Sequence, residues 1–283
     1  MKRLKQIANS LKATAENPDD AQMREFIFYS PKMPLRIHQE ELVAEAKNFS
    51  LDIYDPYFTQ SKLEINCFSW GSGKIKVLLT HGWASKALDF YELIIELLKS
   101  DDVEIIAFDA PGNGSSVSDL SNLMFYADAV KAIATNYAQP DFVIGHSLGS
   151  MANVIALQDL NLTPKMLISI APLIRLKEKF AQSLTSVGIA DVHQDRFFDN
   201  FAKEFPVQAS DFNLVNLYEA NRNFNHFIAF DPEDDISTFP FLKEFLDKFP
   251  EVNATAYEGV GHYKILKSND VINDIVEKIS SAR

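Results

Sequence analysis

Ser147 stands in Gly145-His-Ser-Leu-Gly149, directly after the apolar run Phe142–Ile144 and directly before the helix-forming stretch Ser150–Leu157. A serine hydroxyl is a poor nucleophile at neutral pH. With a base in reach it attacks a carbonyl carbon and becomes acylated. The two glycines suit that task. A sharp strand-to-helix turn lifts the hydroxyl clear of a sheet only if the residues two positions away lack bulk. The helix beyond the turn then aims unpaired N–H groups and the positive end of its dipole at the same spot. Taken alone, the stretch has a competing reading as a tight βα turn with a surface serine.

The base should be a histidine held by a carboxylate, and the chain has six histidines. His38 lies in the N-terminal region, His193 in a helical insertion, and His226 opens a strand at the end remote from the site. His81 belongs to a turn whose backbone matters more than its ring. His146 adjoins Ser147 but points elsewhere on the elbow. His262 remains, in the glycine-flanked loop Glu258-Gly-Val-Gly-His-Tyr263, where a flexible backbone can hold an imidazole over the sheet edge. The acid is expected from the loop after the preceding strand, Asp231-Pro-Glu-Asp-Asp235. Asp231, Glu233, Asp234 and Asp235 compete there. Asp234 is the expected partner of His262 and Asp235 the close rival; Asp231 or Asp235 can serve as a cap of the loop or the next helix. Asp109, in Asp-Ala-Pro-Gly-Asn-Gly114, reads as a carboxylate that fixes its own loop.

The elements that must position these groups alternate. Strands are expected at Leu63–Trp70, Ile75–Thr80, Glu104–Phe108, Phe142–Ile144, Lys165–Ile170, His226–Phe230 and Val252–Tyr257. Helices are expected around Asp89–Lys99, Leu123–Tyr137, Phe241–Phe249 and Ser268–Ser280. Such alternation predicts right-handed crossovers and a mostly parallel sheet, with the site at the carboxyl ends of the strands. His81, Asp109 and Ser147 all fall at such ends. Between about Pro172 and Asn225 the alternation fails. That stretch is helical in period and rich in aromatics, from Phe180, Phe197, Phe198, Phe201 and Phe205 to Phe212, Tyr218 and Phe224. An insertion on the active-site side is expected to form a lid, most of its aromatics packing between helices and a minority facing substrate. Residues 1 to about 60 read as an N-terminal helical extension packed on the core. Leu4, Ile7, Ala8 and Leu11 share one helical face, Asn17-Pro-Asp-Asp20 starts a helix, and Leu35–Lys47 reads as another.

Composition narrows the function. The 283 residues, 47% of them hydrophobic, can bury a large core. The formal net charge of −12, with acids spread widely, argues against nucleic acid, whose phosphates need clustered Lys and Arg. The single cysteine, Cys67, rules out an internal disulfide and a cysteine metal cluster; its alternating surroundings make it a structural strand thiol. No apolar run approaches the ~18–20 residues of a membrane span. Met1-Lys-Arg-Leu-Lys begins like a signal peptide, but no apolar segment follows. A soluble, cytoplasmic monomer or homodimer is the expectation.

The chain order Ser147, Asp234, His262 is that of the α/β-hydrolases. The chain resembles the esterase/lipase-like members of that superfamily in His81-Gly-Trp83, Phe108-Asp-Ala-Pro-Gly-Asn-Gly-Ser115, Gly145-His-Ser-Leu-Gly149, Asp234 and Gly261-His262. The likeness covers roughly residues 61–283. It implies an α/β-hydrolase domain over that range with a helical lid at 172–225. It also implies a Ser147–Asp234–His262 triad and an oxyanion hole formed by the backbone N–H groups of Trp83 and Leu148. The side chains of Trp83 and His146 are expected beside a small-molecule ester, with no metal and no organic cofactor. Thioester cleavage and acyl transfer are alternatives on the same residues, and a non-catalytic ligand-binding module is the chemically different one.

Overall fold

The computed structural model describes residues 2–218 and 225–282; Phe224, counted above among the insertion's aromatics, lies outside them. The chain opens with helices α1 (Lys2–Ala13), α2 (Asp20–Phe28) and α3 (Ile37–Glu45). Strands β1 (Lys47–Asp55), β2 (Ser61–Gly71) and β3 (Ile75–Thr80) follow, then α4 (Tyr91–Leu97), β4 (Val103–Asp109), α5 (Leu123–Asn136) and β5 (Phe142–His146). Next come α6 (Leu148–Asp159), β6 (Met166–Ile170), α7 (Leu176–Ser186), α8 (Asp191–Glu204) and α9 (Leu214–Leu217). β7 (Asn225–Phe230), α10 (Phe239–Lys248), β8 (Asn253–Ala256), α11 (Gly261–Lys264) and α12 (Asn269–Ser281) close the chain.

The eight strands form one sheet in the order β1-β2-β4-β3-β5-β6-β7-β8. β1 and β2 pair antiparallel, as do β2 and β4, and every other pairing is parallel. This is an α/β-hydrolase fold. The inner strands are near-continuous apolar runs because both sheet faces are covered. Val143 of β5 faces one core with α5 and α6, whereas Phe142 and Ile144 face the other with α4 and α12.

The first sixty residues hold more than helices. The reading above gives no strand there and extends a helix to Lys47, but α3 stops at Glu45 and β1 begins at Lys47. Phe49, Leu51 and Ile53 alternate along β1 and stand opposite Cys67, Ile65 and Leu63 of β2. Asp55 ends β1, its buried carboxylate accepting the backbone N–H groups of Tyr57, Phe58 and Thr59. The extension is therefore tied into the sheet. Cys67 is buried and burial, helped by Asp109, pushes its thiol up to about 12, which keeps it protonated and inert.

α1 and α2 lie against the insertion between β6 and β7. Arg196 of α8 reaches Asp20 at 2.7 Å, and Arg24 of α2 reaches Glu204 at the same distance. Phe28 stacks on Phe201 with ring centroids 6.2 Å apart. These aromatics are core between helices; of the insertion's aromatic residues named above, Phe180 alone lines the cavity beside Ser147, among the described residues. No helix among the described residues is long and apolar enough to cross a membrane.

Candidate active site

β5 delivers Ser147 and α6 carries the chain away. Ser147 adopts φ 53°, ψ −118°, a left-handed backbone that costs a non-glycine residue about 1–3 kcal/mol and persists only where its surroundings enforce it. The enforcing bonds are backbone ones. Ser147 N–H donates to Ile170 at 3.0 Å, and its carbonyl accepts from Ser150 at 3.1 Å and Leu173 at 3.2 Å. The glycines on either side are demanded by contact. A Cβ on Gly149 would stand 2.3 Å from the carbonyl oxygen of Thr80, and one on Gly145 would stand 2.7 Å from the backbone of Ser150.

The loop after β3 runs beside the elbow. His81 is fully buried; its Nδ1 donates to the Gly82 carbonyl at 2.7 Å and its Nε2 accepts from the Ala110 N–H at 3.0 Å. Tyr126 also donates to the Gly82 carbonyl, at 3.1 Å. The His81 ring therefore ties the β3 and β4 loops together, where the sequence reading ranked the backbone of that turn above the ring. Asp109 fixes its loop as expected from sequence, accepting the N–H groups of Ala87 at 2.8 Å and Ser115 at 2.7 Å. Leu148 opens α6, so its N–H has no acceptor within the helix. Trp83 and Leu148 both border the cavity at Ser147.

His262 and Asp234 are buried, and Nδ1 of His262 lies 2.7 Å from Oδ2 of Asp234. The other carboxylate oxygen of Asp234 accepts the N–H groups of Ile236 and Ser237 at 2.8 and 2.9 Å. Burial pushes the Asp234 carboxyl up, but the bond to His262, its charge and those two amides outweigh burial and hold it below the ordinary aspartate value. The rival acids do other work. Asp231 accepts from Gly261 at 2.6 Å and Glu233 at 2.9 Å, pinning the histidine loop, while Glu233 and Asp235 are exposed.

His146 is buried, and its Nε2 donates to the carbonyl of His262 at 2.9 Å. Its Nδ1 is buried without a hydrogen-bond partner. The ring borders the cavity, yet its hydrogen bond ties the elbow to the histidine loop. Of the other histidines, His38 packs edge-on against Tyr91, His193 bonds the Glu16 carbonyl, and His226 lies buried against Ser169 and Tyr218. None of the three borders the cavity.

Ser147, His262, Trp83, His146 and Leu148 share one cavity of about 240 Å³. Its walls are mainly apolar, with Leu123, Leu173, Leu176, Phe180 and Ile236 among them. A further wall comes from the start of the chain, through Leu4, Phe26, Ile27, Tyr29 and Pro31. The sequence reading left these five out. The amphipathic face of α1 signalled burial but not what it would be buried against. No group of three or more His, Cys, Asp or Glu side chains among the described residues is arranged to hold a metal ion.

Three buried imidazoles set an acid limit on stability. Burial lowers His81, and it brings His146 and His226 to about 3, the His262 charge adding to the shift at His146. A histidine with a lowered folded pKa stays neutral while its unfolded counterpart takes a proton below about pH 6.5. Stability is therefore expected to fall as pH drops from about 6.5 towards 3, by about 1.4 kcal/mol per pH unit for each of His146 and His226, with His81 adding a loss of the same sign. Asp234, depressed, adds a further loss below the ordinary aspartate range. Urea unfolding midpoints at pH 7, 6, 5 and 4 check this; a midpoint constant from 7 to 5 would refute it.

A strand-order reversal in a mostly parallel sheet, with a strained serine on the β5–α6 elbow and His262, itself bonded to Asp234, lining the same cavity, is the architecture of an α/β hydrolase. The chain belongs to the alpha/beta hydrolase family, which matches residues 77–273. A sequence search of curated proteins finds no match. Among solved structures, the chain is similar to the Pyrococcus furiosus esterase Pf2001 at 17% identity and a TM-score of 0.62, covering 90% of this chain and 97% of that one. It is similar to a thermophilic esterase from Thermogutta terrifontis at 16% identity and a TM-score of 0.57, covering 83% and 99%. Alpha/beta hydrolase domain-containing protein 10 from mouse gives 17% and 0.61, covering 82% and 97%. At these identities the likeness is one of fold.

Proposed function

We propose that this chain is a serine esterase that cleaves carboxylic esters with a small or medium apolar acyl group. The observation that carries the reading is the 2.7 Å bond from His262 to Asp234 beside the cavity that also holds the strained Ser147. Asp234 fixes the His262 tautomer with the proton on Nδ1, leaving Nε2 as the base. His262 takes the Ser147 proton as the hydroxyl oxygen bonds to the ester carbon. The N–H groups of Trp83 and Leu148 receive the oxyanion, each donor being worth about 3 kcal/mol in such sites. Collapse of the tetrahedral adduct breaks the bond to the alcohol oxygen, which leaves with the proton from His262. Water then attacks the acyl-enzyme, giving its proton to His262, and the acid and free serine are released. The insertion at 172–225 and the first two helices act as the lid over this chamber.

A panel of p-nitrophenyl esters from acetate to palmitate, run beside thioesters, tests the proposal. Turnover is expected to favour short and medium acyl chains and to fall for palmitate, which a cavity of about 240 Å³ does not hold. No hydrolysis across the whole panel would sink it.

A further inference from the structure

Among the described residues, Lys179 is the one lysine, and there is no arginine, aspartate or glutamate, in the wall of the Ser147 cavity. It lies on α7, half-buried, and forms no ion pair within 4.0 Å among those residues; its hydrogen bond goes to the neutral Gln182 at 3.0 Å. Burial lowers its pKa, partly offset by the charges of Asp235 and Asp234. Asp234 is already bonded to His262, and Asp235 is exposed. A cation drawn into an apolar wall is destabilised there unless an anion meets it. Lys179 also borders a second cavity, which shares Leu173 and Ile236 with the first and has Arg175, Glu178 and Gln182 in its wall.

We propose that the substrate is an ester carrying a carboxylate a few bonds from the scissile carbonyl, with Lys179 as the residue that receives it. This rests on the esterase reading above. Ser147 and His262 perform the cleavage as before; Lys179 contributes recognition and touches no reacting atom.

The test compares kcat/KM for two sets of probes. One is the p-nitrophenyl monoesters of glutaric, adipic and suberic acid against neutral p-nitrophenyl esters of equal acyl length. The other is acetoxyhexanoate against hexyl acetate, followed by acid release. Wild type is expected to prefer the carboxylate member of at least one set by about tenfold to a hundredfold, the range of a charge-assisted hydrogen bond. Lys179→Met should erase that preference, read as the ratio of the two kcat/KM values, Lys179→Arg should retain most of it, and added salt should weaken it. Neutral esters cleaved with no carboxylate preference in either set, or a preference that survives in Lys179→Met, overturns this inference alone. No turnover of any probe overturns the esterase reading with it.

Discussion

Ser147→Ala is expected to lower ester turnover by about ten-thousandfold or more while leaving the fold in place. The elbow explains the second half of that statement. The hydrogen bonds that force residue 147 into its strained conformation run through its N–H and carbonyl, to Ile170, Ser150 and Leu173, and alanine keeps all of them. Loss of the Oγ atom removes the nucleophile and nothing that packs. A melting temperature within about two degrees of wild type, with ester cleavage gone and no mass shift from a fluorophosphonate label, is the expected pattern. Substantial residual hydrolysis would mean that another residue attacks the ester.

The second large effect is expected from Asp234→Asn, about ten-thousandfold in kcat. An asparagine can still accept the N–H groups of Ile236 and Ser237 through its one oxygen. The other position then holds an NH2 group facing Nδ1 of His262, where a carboxylate oxygen stood at 2.7 Å. Either the ring turns, or it takes the tautomer with the proton on Nε2, which cannot accept the serine proton. Asp235→Asn supplies the contrast, because that side chain is exposed and should leave kcat within about twofold. Equal losses in the two variants would show that the acid has been misplaced.

How far the sequence reached depended on what each signal encoded. The inner strands were legible because burial on both faces leaves runs such as Ile75–Thr80 with hardly a polar residue. The elbow was legible because two close approaches, Gly149 to Thr80 and Gly145 to Ser150, admit no Cβ. Placing His262 and Asp234 side by side needed only chain order and the rule that parallel sheets gather their loops at one end. β1 carried a readable signal, since Phe49, Leu51 and Ile53 alternate with Ser50 and Asp52, but the reading ended its helix at Lys47 and gave residues 48–60 of the extension no element. The cavity wall from Leu4 to Pro31 was not legible. Amphipathicity says that one face of α1 is buried, whereas the meeting of Leu4 and Phe180 in the wall of one cavity depends on residues far apart in sequence. The insertion's phenylalanines were ambiguous for the same reason, and Phe180 is separated from Phe197 or Phe201 only by where three helices meet. Lys179 looked like any surface lysine of an amphipathic helix.

The roof that α1 and α2 lend to the cavity gives the order of translation a chemical meaning. The ribosome delivers residues 4–31 before the serine, and the serine before the imidazole of residue 262. On the esterase reading, a growing polypeptide thus carries a hydroxyl with no proton acceptor until the residues after β8 are made. A product that stops before β7 lacks Ile236, His262 and Tyr263 of the cavity wall, and with them the base that the esterase reading requires.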